Sequence, residues 1–302
     1  MYLHNEKSTF EKLIYETYKA TDIRDILIEK DYYVTFLLKR IVEALPGIVF
    51  KGGTSLTKCH HCIERFSEDI DISFSNGKKT STEKQRKETN RAVRECCKNN
   101  DFGRCSLKGD FLSNRTFNSA TIEYDSALPN NTLETKVIVE LSQLCAIYPT
   151  QQAMASCYIT DYLTSIGDQE AINRYNLAPF PVITQSLERT FLDKIFALCD
   201  YYLRNKVTRN SRHIYDLYCI YPKIRINEIR DLANEIRFLR SKLESAPSAK
   251  PEHNINGLLQ TIVDEGYYKE DYKSLTQNLL FKEVSYEKAI SVIHRIIRDG
   301  LF

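Results

Sequence analysis

Lys51-Gly52-Gly53-Thr54-Ser55-Leu56, followed by Arg65-Phe66-Ser67-Glu68-Asp69-Ile70-Asp71-Ile72, decides how the rest of this chain reads. The apolar run at 48–50 just before it reads as a short buried strand. Two glycines then let the backbone turn sharply and approach a ligand closely. Thr54 can open a helix whose unpaired N–H groups point at an anion. Asp69-Ile70-Asp71-Ile72-Ser73-Phe74 alternates. The period of a strand puts Asp69 and Asp71 on one face, with Ile70 and Ile72 on the other. Two carboxylates side by side repel, so a divalent cation, Mg²⁺ or Mn²⁺, is their natural partner. Glu68 falls on the face opposite Asp69 and at most supports the pair from behind.

Outward from this stretch, residues 1–20 and 27–45 read as helices, the second carrying Tyr33, Phe36, Leu37 and Ile41 on one stripe and stopped by Pro46-Gly47. Within it, Glu29-Lys30-Asp31 reads as the charged outer face of a core-packing helix. Thr80-Ser81-Thr82-Glu83 is a capping box opening a polar helix to about residue 98. Its Lys84, Arg86, Lys87, Arg91 and Arg94 are balanced by glutamates, which favours a solvated surface over an RNA guide. Residues 115–124 and 135–142 read as two strands joined by a loop containing Pro129-Asn130-Asn131. In the second, Glu140 is the one acid in an apolar run, either held there for a purpose or facing solvent at a sheet edge. The chain is helical from Ser186 on. Lys194 lies near the apolar stripe Leu187, Thr190, Phe191, Ile195 and Leu198, where a lysine ordinarily snorkels. Arg204, Lys206, Arg209 and Arg212 form the densest basic cluster and are candidates to contact RNA.

The run KGGTSL…RFSEDIDIS resembles the AbiEii family, the toxin nucleotidyltransferases of type IV toxin–antitoxin systems, within the polymerase-beta-like nucleotidyltransferase superfamily. Glu29-Lys30-Asp31-Tyr32 resembles a segment that precedes the glycine motif in that family, with no chemistry attached. Leu187 to Leu198 resembles its third motif, and Arg212-His213-Ile214-Tyr215-Asp216-Leu217 its R-H-x-Y-D-L motif. The resemblance implies an α+β nucleotidyltransferase fold: a mixed sheet flanked by helices over residues 1–180, then a helical lobe over 181–302 contributing Lys194 and Asp216. It implies that Asp69 and Asp71, with Glu140 as third carboxylate, hold the metal. Lys51, Gly52, Gly53, Thr54 and Ser55 would bind the phosphates, with Lys194 as a point charge there. Asp216 would be the base on the attacking hydroxyl or the partner that orients Lys194; a low pKa near a helix N-terminus favours orientation. It further implies a nucleoside triphosphate donor, the 3′ end of tRNA as acceptor and a cognate antitoxin. Transfer to a protein hydroxyl, or binding without turnover, are the rival readings.

Composition sets outer limits. The 302 residues suit one large or two modest domains, and a net charge of +2 does not advertise nucleic-acid binding. No stretch is apolar enough to span a membrane, and the start carries no signal-peptide core, so the expectation is a cytoplasmic protein. The nine cysteines are scattered. Cys59 and Cys62 have a C-x-x-C spacing but lack further ligands at zinc spacing, and read as reduced residues on the helix after the glycine turn.

Overall fold

The computed structural model describes residues 1–74, 82–98, 117–129, 133–142 and 145–302. They form two compact units, Met1–His60 with Ser67–Gln185, and His61–Phe66 with Ser186–Phe302. In the first, the strands β1 (Ile48–Lys51), β2 (Ile70–Phe74), β3 (Phe117–Glu123), β4 (Lys136–Ser142), β5 (Thr150–Ala155) and β6 (Phe180–Gln185) make one sheet, ordered β3-β4-β2-β1-β6-β5. The sheet is mixed: β1/β6 and β2/β4 are parallel, the other neighbours antiparallel. The α+β architecture is therefore the expected one. The units divide at Gln185/Ser186 and not at 180/181, because residues 180–185 are paired into the sheet on both sides.

Register follows from side-chain alternation. Ile70, Ile72, Val137, Val139 and Leu141 are buried in the core that also takes Phe36, Leu37 and Ile41 of helix α2 (Asp25–Ala44). Each such aliphatic side chain contributes about 1.5–3 kcal/mol by leaving water. Slipping β2 by one residue would exchange Ile70 and Ile72 for Asp71 on the core face, so the pairing is strongly specified. The same constraint sends Asp71 and Glu140 together to the other face.

Helix α1 (Lys7–Thr21) buries Phe10, Leu13 and Ile14 and ends on Asp22 in the left-handed conformation, φ 60°. The glycine turn leads into α3 (Gly52–Lys58), which begins two residues earlier than the sequence suggests, with Lys51 as its cap residue. Helix α4 (Glu83–Lys98) carries a reciprocal capping box two residues along from the expected one: Thr82 N–H donates to Gln85 Oε1 at 2.8 Å and Gln85 N–H to Thr82 Oγ1 at 3.3 Å. Thr80 and Ser81 of the expected box, with 115–116 and Asn130-Asn131, lie outside the described residues. Helices α5 (Tyr158–Ile166) and α6 (Gln169–Arg174) complete this unit.

The second unit contains α7 (Leu187–Leu203), α8 (Arg212–Ile220), α9 (Arg230–Ser241), α10 (Ile255–Asp264), the one-turn α11 (Lys269–Asp271) and α12 (Tyr286–Arg298). Ser186 caps α7 by accepting Arg189 N–H at 3.3 Å, and Ser285 caps α12 in the same way from Lys288. The segment His61–Phe66 is tied in by main-chain bonds, Phe66 N–H to Leu279 O and Phe281 N–H to Glu64 O, both 2.9 Å. Among the described residues no helix is long and apolar enough to cross a membrane.

Candidate active site

In the first unit the sheet register assembles the acidic face. Asp71 lies opposite Lys51 on one side and Glu140 on the other. Neighbouring strands are about 4.8 Å apart, so Asp71 and Glu140 are adjacent carboxyl-bearing positions. Asp69 immediately precedes β2, and the fully buried Ile70 separates it from Asp71. All three acids are half-buried.

Gly52 presses on this face. Its φ is +78°, and a Cβ there would stand 1.9 Å from Asp71 Oδ2. Glycine is thus needed twice, for the left-handed backbone and for the close approach. Ser55 Oγ donates back to Gly52 O at 2.9 Å and closes the turn, while Thr54 Oγ1 donates to Ser67 Oγ at 3.0 Å. Both hydroxyl protons are engaged inside the protein and both residues are buried. The turn therefore presents main-chain N–H groups more readily than these hydroxyls.

Gly52→Ala should consequently do more than strain one residue. The left-handed conformation costs an ordinary residue about 1–2 kcal/mol. The new methyl must also push the Asp71 carboxylate aside, and if Asp71 serves catalysis a displacement of about 1 Å lowers the rate about 100-fold. Melting temperature and kcat measured on the same preparation check this; a kcat that survives would separate Asp71 from the chemistry.

Among the described residues no three His, Cys, Asp or Glu side chains converge as a ready-made metal cage. Mg²⁺ seldom uses one: it takes one or two carboxylates and completes its octahedron with phosphate oxygens and water. Hard oxygen donors at Asp71 and Glu140, in register beside a turn that only glycine fits, suit such a half-site, with Asp69 one residue before the strand.

In the second unit, Lys194 on α7 and Asp216 on α8 meet, Nζ to Oδ2 at 2.5 Å. Arg65 grips the same carboxylate with two donors, Nε to Oδ1 at 2.7 Å and Nη2 to Oδ2 at 2.8 Å, and its Nη1 donates to Phe66 O at 2.9 Å. Asp216 is 0% exposed, Arg65 1% and Lys194 6%. Burial works to raise the Asp216 carboxyl, but the charges of Arg65 and Lys194 overcome it and hold it well below the usual range. Burial lowers the Lys194 ammonium, with Asp216 opposing. An acid so strongly held is a poor proton acceptor and a good anchor for the amine. Two cations share this one carboxylate, and Arg212 adds to the positive field at Lys194. The cluster thus carries a surplus of positive charge, suited to an anionic group.

Arg65 is the residue the sequence reading left without a role. Its signal is visible afterwards: an arginine flanked by Ile63 and Phe66, both buried, is itself drawn inside and must then find a forked acceptor. His213 is pushed well below the ordinary histidine range by burial, then by Lys194 and Arg212, so it is neutral. Its ring stacks on Tyr201 with centroids 5.9 Å apart.

The basic positions Arg204, Lys206 and Arg209 are exposed in the α7–α8 connection and Arg212 is half-buried. Arg204 Nη2 donates to Ser245 O. The connection is shaped by Asp271, which accepts Arg209 N–H at 2.8 Å and Ser211 N–H at 3.1 Å. Neither Cys59 nor Cys62 lies in a helix as expected, since α3 ends at Lys58. Both are free cysteines, and burial pushes their thiols up to about 12, which disfavours the reactive thiolate.

A family model described as "Nucleotidyl transferase AbiEii toxin, Type IV TA system" matches residues 37–292. No curated protein matches the chain. Among solved structures, the chain is similar to the nucleotidyltransferase toxin MenT4 (Rv2826c) of Mycobacterium tuberculosis H37Rv. Identity is 16%, the TM-score 0.50, and the match covers 98% of this chain and 88% of that one. It is also similar to JHP933 of Helicobacter pylori, at 17% identity and a TM-score of 0.44 over 90% and 94% of the two chains. At such identities the likeness to MenT4 is one of fold.

Proposed function

We propose, from the premise that this chain belongs to the AbiEii family of nucleotidyltransferase toxins of type IV toxin–antitoxin systems, that it moves a nucleoside monophosphate from a nucleoside triphosphate to the 3′-terminal hydroxyl of tRNA in a divalent-metal-dependent reaction. Membership also implies a cognate antitoxin and a nucleoside triphosphate substrate. The observation that carries the reading is the contact of the glycine turn with Asp71, beside Glu140 in register.

In this reading Asp71 and Asp69, with Glu140, hold the cation. When bound, such an ion supplies Lewis-acid neutralisation of triphosphate charge. The N–H groups at Gly52 and Gly53, together with Lys51, orient the phosphates. The acceptor oxygen bonds to the α-phosphorus, the bridging α–β P–O bond breaks, and pyrophosphate leaves. The acceptor proton passes to a carboxylate of the acidic row. Lys194 balances charge on the departing oxygens, and Asp216, itself gripped by Arg65, keeps its amine aimed. Arg204, Lys206, Arg209 and Arg212 contact RNA phosphates.

The test is transfer of label from each of the four α-labelled nucleoside triphosphates, scored separately on total tRNA and on protein. Lengthened tRNA is the expected product. Label on protein alone would replace the acceptor, and no label on either would point to binding without turnover.

A further inference from the structure

Glu29, Lys30 and Asp31 are three consecutive charged residues of α2, and none is on an outer face. They are 0%, 3% and 4% exposed. Burying charge is expensive, and a well-packed apolar replacement often serves stability as well or better. Their partners show what they hold instead. Asp31 Oδ1 takes Lys58 Nζ at 2.6 Å and its Oδ2 takes Tyr158 N–H at 2.9 Å. Lys58 also donates to Thr35 Oγ1 at 2.5 Å and Ser156 O at 3.2 Å. Lys30 pairs with Glu68 and donates to Glu134 O at 3.1 Å. Glu29 takes Ala127 N–H at 2.6 Å and Ser126 Oγ at 2.7 Å.

These partners are not scattered. Lys58 is the last residue of α3, the helix that the glycine turn opens. Glu68 directly precedes Asp69. Glu134 and residues 126–127 lie on the approach to β4, which carries Glu140. Two adjacent residues of one helix thus hold both ends of the 58–68 segment, and the third holds the path toward the remaining acid. Residues 61–66 between those ends belong to the other compact unit. Within the first unit these anchors join the Thr54–Ser67 hydrogen bond and the β1–β2 pairing in fixing the turn and Asp69.

We propose that Lys30 and Asp31 are positioning residues for nucleotidyl transfer, forming a two-point ionic clasp on Lys58 and Glu68 that sets the glycine turn and Asp69 for the metal–nucleotide complex. The inference rests on the metal-dependent reading above. It also explains Glu68, whose carboxylate is the handle by which Lys30 fixes the residue next to it.

The test uses the full chain and two readouts. One is calorimetric binding of Mn²⁺ together with a non-hydrolysable nucleoside triphosphate; the other is kcat. Lys30→Met, close in volume and free of charge, should weaken Mn²⁺–nucleotide binding and lower kcat by about 10–100-fold, the range for residues that orient metal ligands. Lys30→Arg should recover most of that loss. Unchanged binding and kcat in a folded Lys30→Met protein, or an Arg variant as impaired as the Met variant, would overturn the clasp. Should Lys30→Met not fold, Glu68→Gln carries the test, because its partly exposed side chain tolerates the change. The same loss of Mn²⁺–nucleotide affinity is expected there, and wild-type affinity would overturn the proposal. Wild-type protein that binds Mn²⁺–nucleotide but transfers nothing would sink the transfer reading alone, while the binding comparison still decides the clasp.

Discussion

Asp216→Asn is expected to lower the unfolding free energy by about 3–5 kcal/mol, the usual result of removing one member of a buried charged group. Two cations converge on a carboxylate that water does not reach. Asparagine keeps the shape but strands both charges, and Arg65 and Lys194 would then repel one another. The effect has a pH signature. The folded carboxyl lies well below the ordinary aspartate value of 3.8. A group with a depressed folded pKa contributes stability above its unfolded value and loses it as pH falls toward the folded one. The gap between wild type and Asp216→Asn should therefore hold steady from neutral pH to about 5 and narrow below about 4. Denaturant unfolding at pH 7, 5 and 3 measures it. A gap independent of pH across that range would mean that the carboxylate is not the charge that matters.

Asp71→Asn is expected to have the opposite profile. Transfer should fall at least about 1,000-fold, corresponding to about 4 kcal/mol of lost transition-state stabilisation. Stability should be unchanged or slightly raised. Asp71 is half-buried, and the register sets Glu140 beside it. Directly adjacent like charges on paired strands are destabilising, so removing one relieves repulsion while removing function. Thermal melting and kcat on the same sample test both halves. A large loss of stability would recast Asp71 as structural.

The central strands were legible in the sequence because their pattern is local. Ile70 and Ile72 alternate with the acids, and the run at 136–142 is long and β-branched. The outer strand β5 was not, since Thr150-Gln151-Gln152-Ala153-Met154-Ala155 is an edge with polar, exposed positions that no periodicity separates from a loop. Within the stretch from Ser186 on that reads as helical, the chain forms a π turn (Tyr272–Thr276) followed by a 3₁₀ turn (Gln277–Leu279), a distinction of one residue in hydrogen-bond spacing that composition does not encode. Glu29-Lys30-Asp31 went astray for a more instructive reason. Three charges in a row imply an outer face, and only partners 27 to 127 residues away make their burial tolerable. Arg65 escaped notice likewise, because its partner Asp216 is 151 residues distant. Pattern reports which face a residue takes; it does not report a long-range charge that reverses the assignment.

The most direct measurement is single-turnover pyrophosphate release from a nucleoside triphosphate with Mg²⁺ and total tRNA, for wild type, Asp71→Asn, Lys194→Met and the double variant. If the acids and the amine serve one transfer step, each single change should lower the rate about 100-fold or more, and the double variant should be little worse than the poorer single, as for residues that act as a unit. A Lys194→Met protein that folds and releases pyrophosphate at the wild-type rate would contradict the account.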